Sequence, residues 1–253
     1  MSGRLAGKVI VIAGAGGIGD ALAIRYAADG ARIVVGDLDG DHAAELAARI
    51  DPTGATAVGT TFDGSDDDSV ATLVALSLST FGALHGFHAN FADFSDGLSP
   101  AGVDLPLDDF DQVMRVNARG YFLCSRHAVP AIVGSGGGSV LYTSSAAAHA
   151  PSHVRVAYAM SKAAVHALMR TVATRYGPKG VRANAITPGL ILHDGSAALP
   201  ESLLTSAKAA AAIKDRLGRP DDIAAMGAFL MSDDAGYVTG QVIAVDGGVT
   251  MRP

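Results

Sequence analysis

Residues 8–37 leave this chain few folds to choose from. Lys8-Val9-Ile10-Val11-Ile12-Ala13 is a continuous apolar, β-branched run, as expected of a strand buried on both faces of a parallel sheet. Gly14-Ala15-Gly16-Gly17-Ile18-Gly19 follows, then a stretch with Ile18, Leu22, Arg25 and Asp29 at helical spacing, closed by Gly30. A second strand-like run, Arg32 to Gly36, ends at Asp37, eighteen residues past the last loop glycine. Residues without Cβ let the backbone turn tightly and approach a pyrophosphate, whose charge a helix N-terminus stabilises. Asp37 can accept hydrogen bonds from both hydroxyls of an adenosine ribose and would repel a 2′-phosphate. No Lys or Arg lies in the loop or just after Asp37, so the reading is NAD rather than NADP. A glycine motif alone says little. The strand before it, the helix after it and the acid at that distance make the unit specific.

A second constellation spans 138–165. Ser139 to Thr143 reads as a strand ending in Ser144-Ser145, and after a loop carrying Pro151 a helical run presents Tyr158-Ala159-Met160-Ser161-Lys162. The four-residue spacing stacks Tyr158 and Lys162 on one helix face. A free phenol, with pKa about 10, stays protonated at neutral pH. A cation within roughly 4–6 Å lowers such a pKa by about 1–3 units, which would make Tyr158 a general acid or base. Ser145, if the strand end meets that helix, can hydrogen-bond a substrate oxygen. Tyr-x-x-x-Lys in isolation is commonly a surface pair, so its surroundings decide.

Those surroundings alternate strand and helix. Residues 41–50 read as a helix, 56–63 as a third strand and 83–92 as a fourth, holding His85, His88 and Asn90. Two histidines three apart on a strand face opposite sides and make a poor metal pair. Ser65-Asp66-Asp67-Asp68 reads as a helix start with Ser65 as the cap and acids at the positive end of the dipole. Pro106 opens a long helix to about Val133 with Asn117, a poor helix former, in its middle. Gly136-Gly137-Gly138 precedes a strand, where a phosphate loop must follow one, so it is a connection. A sixth strand, 181–187, ends at Pro188-Gly189; residues 190–213 read as a mobile segment with its own helix; another helix starts at Pro220, and 241–245 is a last strand. The pattern predicts one α/β domain: a doubly wound, Rossmann-like parallel sheet of about seven strands with helices on both faces. Ligands of such sheets bind at the carboxyl ends of the strands, where the glycine loop, Asp37, Asp63, Asn90, Ser145 and Pro188-Gly189 all fall.

With 253 residues, 49% hydrophobic, one large core is available. The net charge of −6 argues against nucleic acid or an anionic membrane as partner. The single cysteine, Cys124, excludes an internal disulfide and suits a reducing compartment. No leader-like segment and no apolar run of about 18 residues is evident, so the expectation is a soluble, cytoplasmic protein without a metal.

Taken together, the glycine loop, Asp37, Asp63, Asn90, Asn117, Ser145, Tyr158-x-x-x-Lys162, Asn184 with Pro188-Gly189, and the ending GRPDDIAAMGAFLMSDDAGYVTGQVIAVDGG resemble the short-chain dehydrogenase/reductase family over nearly the whole chain. Ser145 stands thirteen residues before Tyr158, the usual family interval. The resemblance implies hydride transfer between NAD and a carbonyl/alcohol pair. Tyr158 would exchange the proton, Lys162 would lower its pKa and hold the nicotinamide ribose, and Ser145 would hydrogen-bond the substrate oxygen. Asn117 would position a water continuing the proton path. Asp63 and Gly64 would meet adenine, Ile18 the phosphates and Ile191 the nicotinamide carboxamide, with Gly14, Gly16, Gly17, Gly19, Leu38, Asn90, Pro188 and Gly189 completing the cofactor set.

Three features depart from the family pattern. Only Ala15 and Gly16 separate Gly14 from Gly17, where three residues are usual. Asn-Asn-Ala-Gly becomes Ala89-Asn90-Phe91-Ala92, and His193 stands where a threonine often follows Pro-Gly. The expected substrate is an apolar secondary alcohol or ketone, cyclic or steroid-like, bordered by Phe91, Phe94, His149, His153 and Leu192. Other readings are a 3-oxoacyl reductase of acyl-carrier substrates and, outside enzymes, a non-catalytic NAD-sensing protein. The family resemblance also implies a homotetramer.

Overall fold

Val9–Ala13 (β1) has no side chain in contact with water, and everything else is layered on it. The computed structural model describes residues 3–97, 102–149, 154–193 and 199–251. The other strands are Arg32–Asp37 (β2), Ala57–Thr61 (β3), Gly86–Ala89 (β4), Gly138–Thr143 (β5), Val181–Pro188 (β6) and Val242–Val245 (β7). They form one sheet of seven strands in the order β3-β2-β1-β4-β5-β6-β7, every pair parallel. This is a single-domain Rossmann-like α/β fold. The strand order reverses between β1 and β4, which opens a crevice at their carboxyl ends. Register puts Ala13 beside both Gly36 and Ala89, so Gly14, Asp37 and Asn90 leave the sheet side by side.

Helices cover both faces because strand side chains alternate. Val11 and Ala13 point to one layer, with Leu73, Tyr121, Val129 and Met169; it is supplied by Asp67–Phe81 (α3), Gly120–Gly134 (α5) and Val156–Tyr176 (α6). Ile10 and Ile12 point to the other, with Leu22, Leu46, Ile223 and Ala228, from Gly17–Ala28 (α1), Gly40–Ile50 (α2) and Pro220–Met231 (α8). The remaining helices are Leu107–Met114 (α4) and Glu201–Ala210 (α7). No helix among the described residues is long and apolar enough to cross a membrane.

Three sequence expectations change in detail. The long helix from Pro106 is interrupted at Arg115–Arg119 by a π-turn, so α4 and α5 are separate, with Asn117 buried at the turn. The fourth strand shrinks to four residues. Asp66, not Ser65, caps α3 by accepting from Ser69 N–H, because Ser65 is drawn aside into a turn with Asp63 Oδ1.

A buried polar chain crosses the sheet. Asn90 Oδ1 can only accept, so Thr143 Oγ1 donates to it (2.8 Å), and His88 Nε2–H must then donate to Thr143 Oγ1 (3.0 Å). That tautomer leaves His88 Nδ1 to accept from Tyr26 O–H at 2.9 Å. Gly227 of α8 leaves the room this hydroxyl occupies. Burial holds His88 neutral, with its pKa pushed down to about 3. The unfolded imidazole titrates near 6.5, so between these values the unfolded chain binds a proton that the folded one refuses. Stability contributed by neutral His88 is therefore complete above about pH 6.5 and is lost as pH falls toward 3. Urea midpoints measured from pH 7 to pH 4 should fall less steeply for His88→Gln than for the natural chain; equal slopes would contradict this account.

Candidate active site

The glycine loop after β1 is bent as L side chains rarely allow: Gly14, Gly16 and Gly17 have φ of 102°, 72° and 40°. A Cβ on Gly14 would stand 2.7 Å from the Phe91 nitrogen. Asn90 Nδ2 donates to the Gly14 carbonyl at 3.1 Å, drawing the loop to the end of β4. Asp37 Oδ2 accepts from Ala15 N–H at 2.7 Å and Oδ1 from Asp39 N–H at 3.0 Å, which fixes the carboxylate at the end of β2. Asp20 Oδ1 accepts from Gly16 N–H and lies 2.9 Å from His42 Nε2, a contact that raises the imidazole pKa.

This loop borders a cavity of about 1830 Å³ that also takes in Ile18, Leu38, Asp63, Gly64, Asn90, Pro188, Gly189 and Ile191. A narrow backbone cradle, the N-terminus of α1 and a fixed carboxylate at the second strand end suit a dinucleotide. Among the described residues no group of three His, Cys, Asp or Glu could hold a metal ion.

Ser145, Tyr158 and Lys162 line the same cavity. Ser145 follows β5 by two residues in extended conformation, and its oxygen accepts from Ala147 N–H. Tyr158 lies in the first turn of α6, where its own N–H is capped by Asp96 Oδ2 at 2.8 Å. Burial raises the phenol pKa, against the Ser145 hydroxyl and the charge of Arg155, which lower it. Lys162, one turn on, is desolvated enough to bring its pKa down to about 7. Its Nζ donates to Thr143 O (2.9 Å) and Tyr121 Oη (3.0 Å) and stands 5.7 Å from the Tyr158 ring centre. Lys162 is not among the groups that lower the phenol; its ammonium is turned toward Thr143 and Tyr121.

Several expected residues serve differently. The Asn117 amide is spent on the Asp93 main chain, accepting from its N–H (2.7 Å) and donating to its carbonyl (2.9 Å). Its side chain thereby braces the 93–97 segment. Asn90 shapes the glycine loop, since both ends of its amide are bonded within the protein. Phe94 lines the cavity with its ring centre 4.9 Å from that of Tyr158. Phe91 packs between Phe62 and Tyr121. His149 stacks on His166 at 4.7 Å and is not part of the cavity wall. Leu192 borders a separate small depression beside Leu217 and Pro220; its N–H is tied to Gly218 O and its side chain is exposed. His153 lies outside the described residues.

Sequence reasoning missed Thr143, Tyr121, Asp96 and Arg155. Nothing in their spacing marks them; each acquires its place through contacts with residues far along the chain. His193 is found over Gly17, where a Cβ on the glycine would stand 2.9 Å from the imidazole.

A protein-family model described as enoyl-(acyl carrier protein) reductase matches residues 12–250. A probable short-chain type dehydrogenase/reductase of Bradyrhizobium diazoefficiens is 38% identical, the match covering 98% of this chain and 89% of that one. The 7α-hydroxysteroid dehydrogenase of Escherichia coli is 33% identical over 97% of this chain and 95% of its own. Cyclohexanol dehydrogenase of an Acinetobacter species is 32% identical over 100% and 98%.

Proposed function

The chain belongs to the short-chain dehydrogenase/reductase family of NAD(P)-dependent oxidoreductases, and from that premise we propose that it moves a hydride between NAD(H) and a hydrophobic secondary alcohol or ketone. The observation that carries this reading is that Ser145, Tyr158 and Lys162 all stand in the wall of the cavity that the glycine loop opens. When bound, the dinucleotide supplies or accepts the hydride. In reduction, the Tyr158 phenol gives its proton to the substrate oxygen; in oxidation, Tyr158 takes that proton back. Ser145 holds the same oxygen by a hydrogen bond. Lys162, charged once solvent or a ribose hydroxyl replaces part of what burial removed, stabilises the phenolate. Gly16, Gly17, Ile18 and Gly19 would meet the pyrophosphate, Asp63 and Gly64 the adenine, and Ile191 the carboxamide.

Asp37 makes NAD the favoured form, since a 2′-phosphate would place two like charges together. Arg115 is occupied with Ser65 Oγ and Gln112, so it offers that phosphate no free fork. Phe94, Ala147, Leu190, Leu199, Leu203 and Ile213 give the cavity wall an apolar stretch, and residues 190–213 would serve as its lid. Cyclic or steroid-like alcohols suit such a wall, in keeping with the hydroxysteroid and cyclohexanol dehydrogenases among the relatives. The family model's description favours one second reading, reduction of acyl-carrier substrates. A non-catalytic NAD sensor would have no use for Ser145, Tyr158 and Lys162 together.

Tyr158→Phe should lower turnover by at least about 10²-fold while NADH still binds, as fluorescence titration would read; an undiminished rate would refute the assignment. Asp37→Ala should narrow the ratio of kcat/KM for NAD over NADP, and an unaltered ratio would count against NAD specificity. Exposed Phe122 on α5 and Met160 on α6 suit a homotetramer built through these helices in the cytoplasm. Light scattering should give four times the 25.5 kDa chain mass; a monomer would remove that expectation.

A further inference from the structure

Among the described residues four Lys or Arg side chains line the reaction cavity, and three are spent within the protein. Lys162 donates to Thr143 and Tyr121, Arg115 to Ser65 and Gln112, and Arg216 grips both oxygens of Asp222. Arg155 differs. Its Nε donates to Gly97 O at 3.3 Å, and its two Nη groups bond no partner among the described residues.

Arg155 is also held at a cost. It is the non-glycine residue with positive φ among the described residues, at φ 58° and ψ 49°. It caps the N-terminus of α6, where the helix dipole disfavours a positive charge. Its guanidinium lies 4.8 Å over the Phe94 ring, which in turn packs on Tyr158. Stacking pre-orients the planar fork and reduces the freedom it would lose on binding. Neither nearby acid forms an ion pair with it: Asp93 accepts from Ser95 N–H and Gln112, and Asp96 accepts from Tyr158 N–H through Oδ2, its Oδ1 bonding no partner.

We propose that Arg155 is the anion-recognition point of the substrate pocket. The substrate is then an apolar, cyclic alcohol or ketone carrying a carboxylate, with its reacting oxygen at Tyr158 and Ser145 and its carboxylate on the two Nη groups. A planar carboxylate matches the fork in bidentate fashion. A phosphate dianion would call for a second free cation, and the other three are engaged. This assignment rests on the hydride-transfer reading and deepens it by naming the substrate's second functional group.

The test uses 4-oxocyclohexanecarboxylate, its methyl ester and cyclohexanone, with NADH consumption as readout. Arg155→Gly removes the charge and suits the left-handed backbone, so the variant keeps its fold; Arg155→Lys keeps the charge without the fork. The natural chain should prefer the acid over the ester by about tenfold or more in kcat/KM at low salt, through KM, and less at 0.5 M salt. Arg155→Gly should bring the acid-to-ester ratio near one, and Arg155→Lys should restore it in part. A ratio unchanged in Arg155→Gly, or a natural preference for the ester, overturns the proposal. Calorimetric titration of unreactive cyclohexanecarboxylate into NADH-saturated protein gives an independent arm. Affinity should fall about tenfold or more in Arg155→Gly, and undiminished affinity overturns the proposal as well. If no variant reduces any ketone, the hydride-transfer reading fails and the calorimetry alone decides this one.

Discussion

Thr143, the last residue of β5, joins the two halves of the site. Its hydroxyl donates to Asn90, which holds the Gly14 carbonyl, and its own carbonyl accepts from the Lys162 ammonium. One residue thereby sets the spacing between the dinucleotide cradle and the helix that carries Tyr158. The second contact is buried and the first partly so, and Tyr121 reinforces the second by donating to the same carbonyl; unpairing a buried polar group costs about 1–3 kcal/mol. The polar chain continues through His88 to Tyr26 on α1, which fastens the first helix of the cradle to the same point.

The family departures are compensated locally. Phe91, where the family has a small residue, fills the space beside Phe62 and Tyr121. Gly64 and Gly120 make that possible: a Cβ on either would press on the Phe91 ring. The shortened glycine loop is closed by Asp20 and Asp37, which take up the Gly16 and Ala15 N–H groups. His193 covers Gly17 from the segment after β6, a bulkier and more polar neighbour than a threonine.

The acid–base pair shows how burial and charge compete. Tyr158 and Lys162 are both deprived of water, and desolvation moves their pKa values in opposite directions, the phenol up and the ammonium down. Each shift opposes the charged form that proton transfer needs. For the phenol alone, Ser145 and the Arg155 charge act the other way, and both residues line the cavity.

The order of strands, the glycine cradle, Asp37 and the Ser145, Tyr158, Lys162 group were legible in the chain because each is a local pattern: apolar runs, residues lacking Cβ, and a four-residue helical spacing. Local patterns failed where partners are distant. Asn117 looked like a misplaced helix residue, yet a π-turn and the Asp93 backbone account for it. His149 and Leu192 looked like pocket residues, but His149 stacks on His166 and Leu192 is exposed beside a separate depression. Sequence alone determined which chemistry is available, since side-chain type and periodicity are carried residue by residue. Only the tertiary structure decided which groups are free to use it, because a hydrogen bond accepted from a residue fifty positions away removes a donor or acceptor that no nearby pattern records.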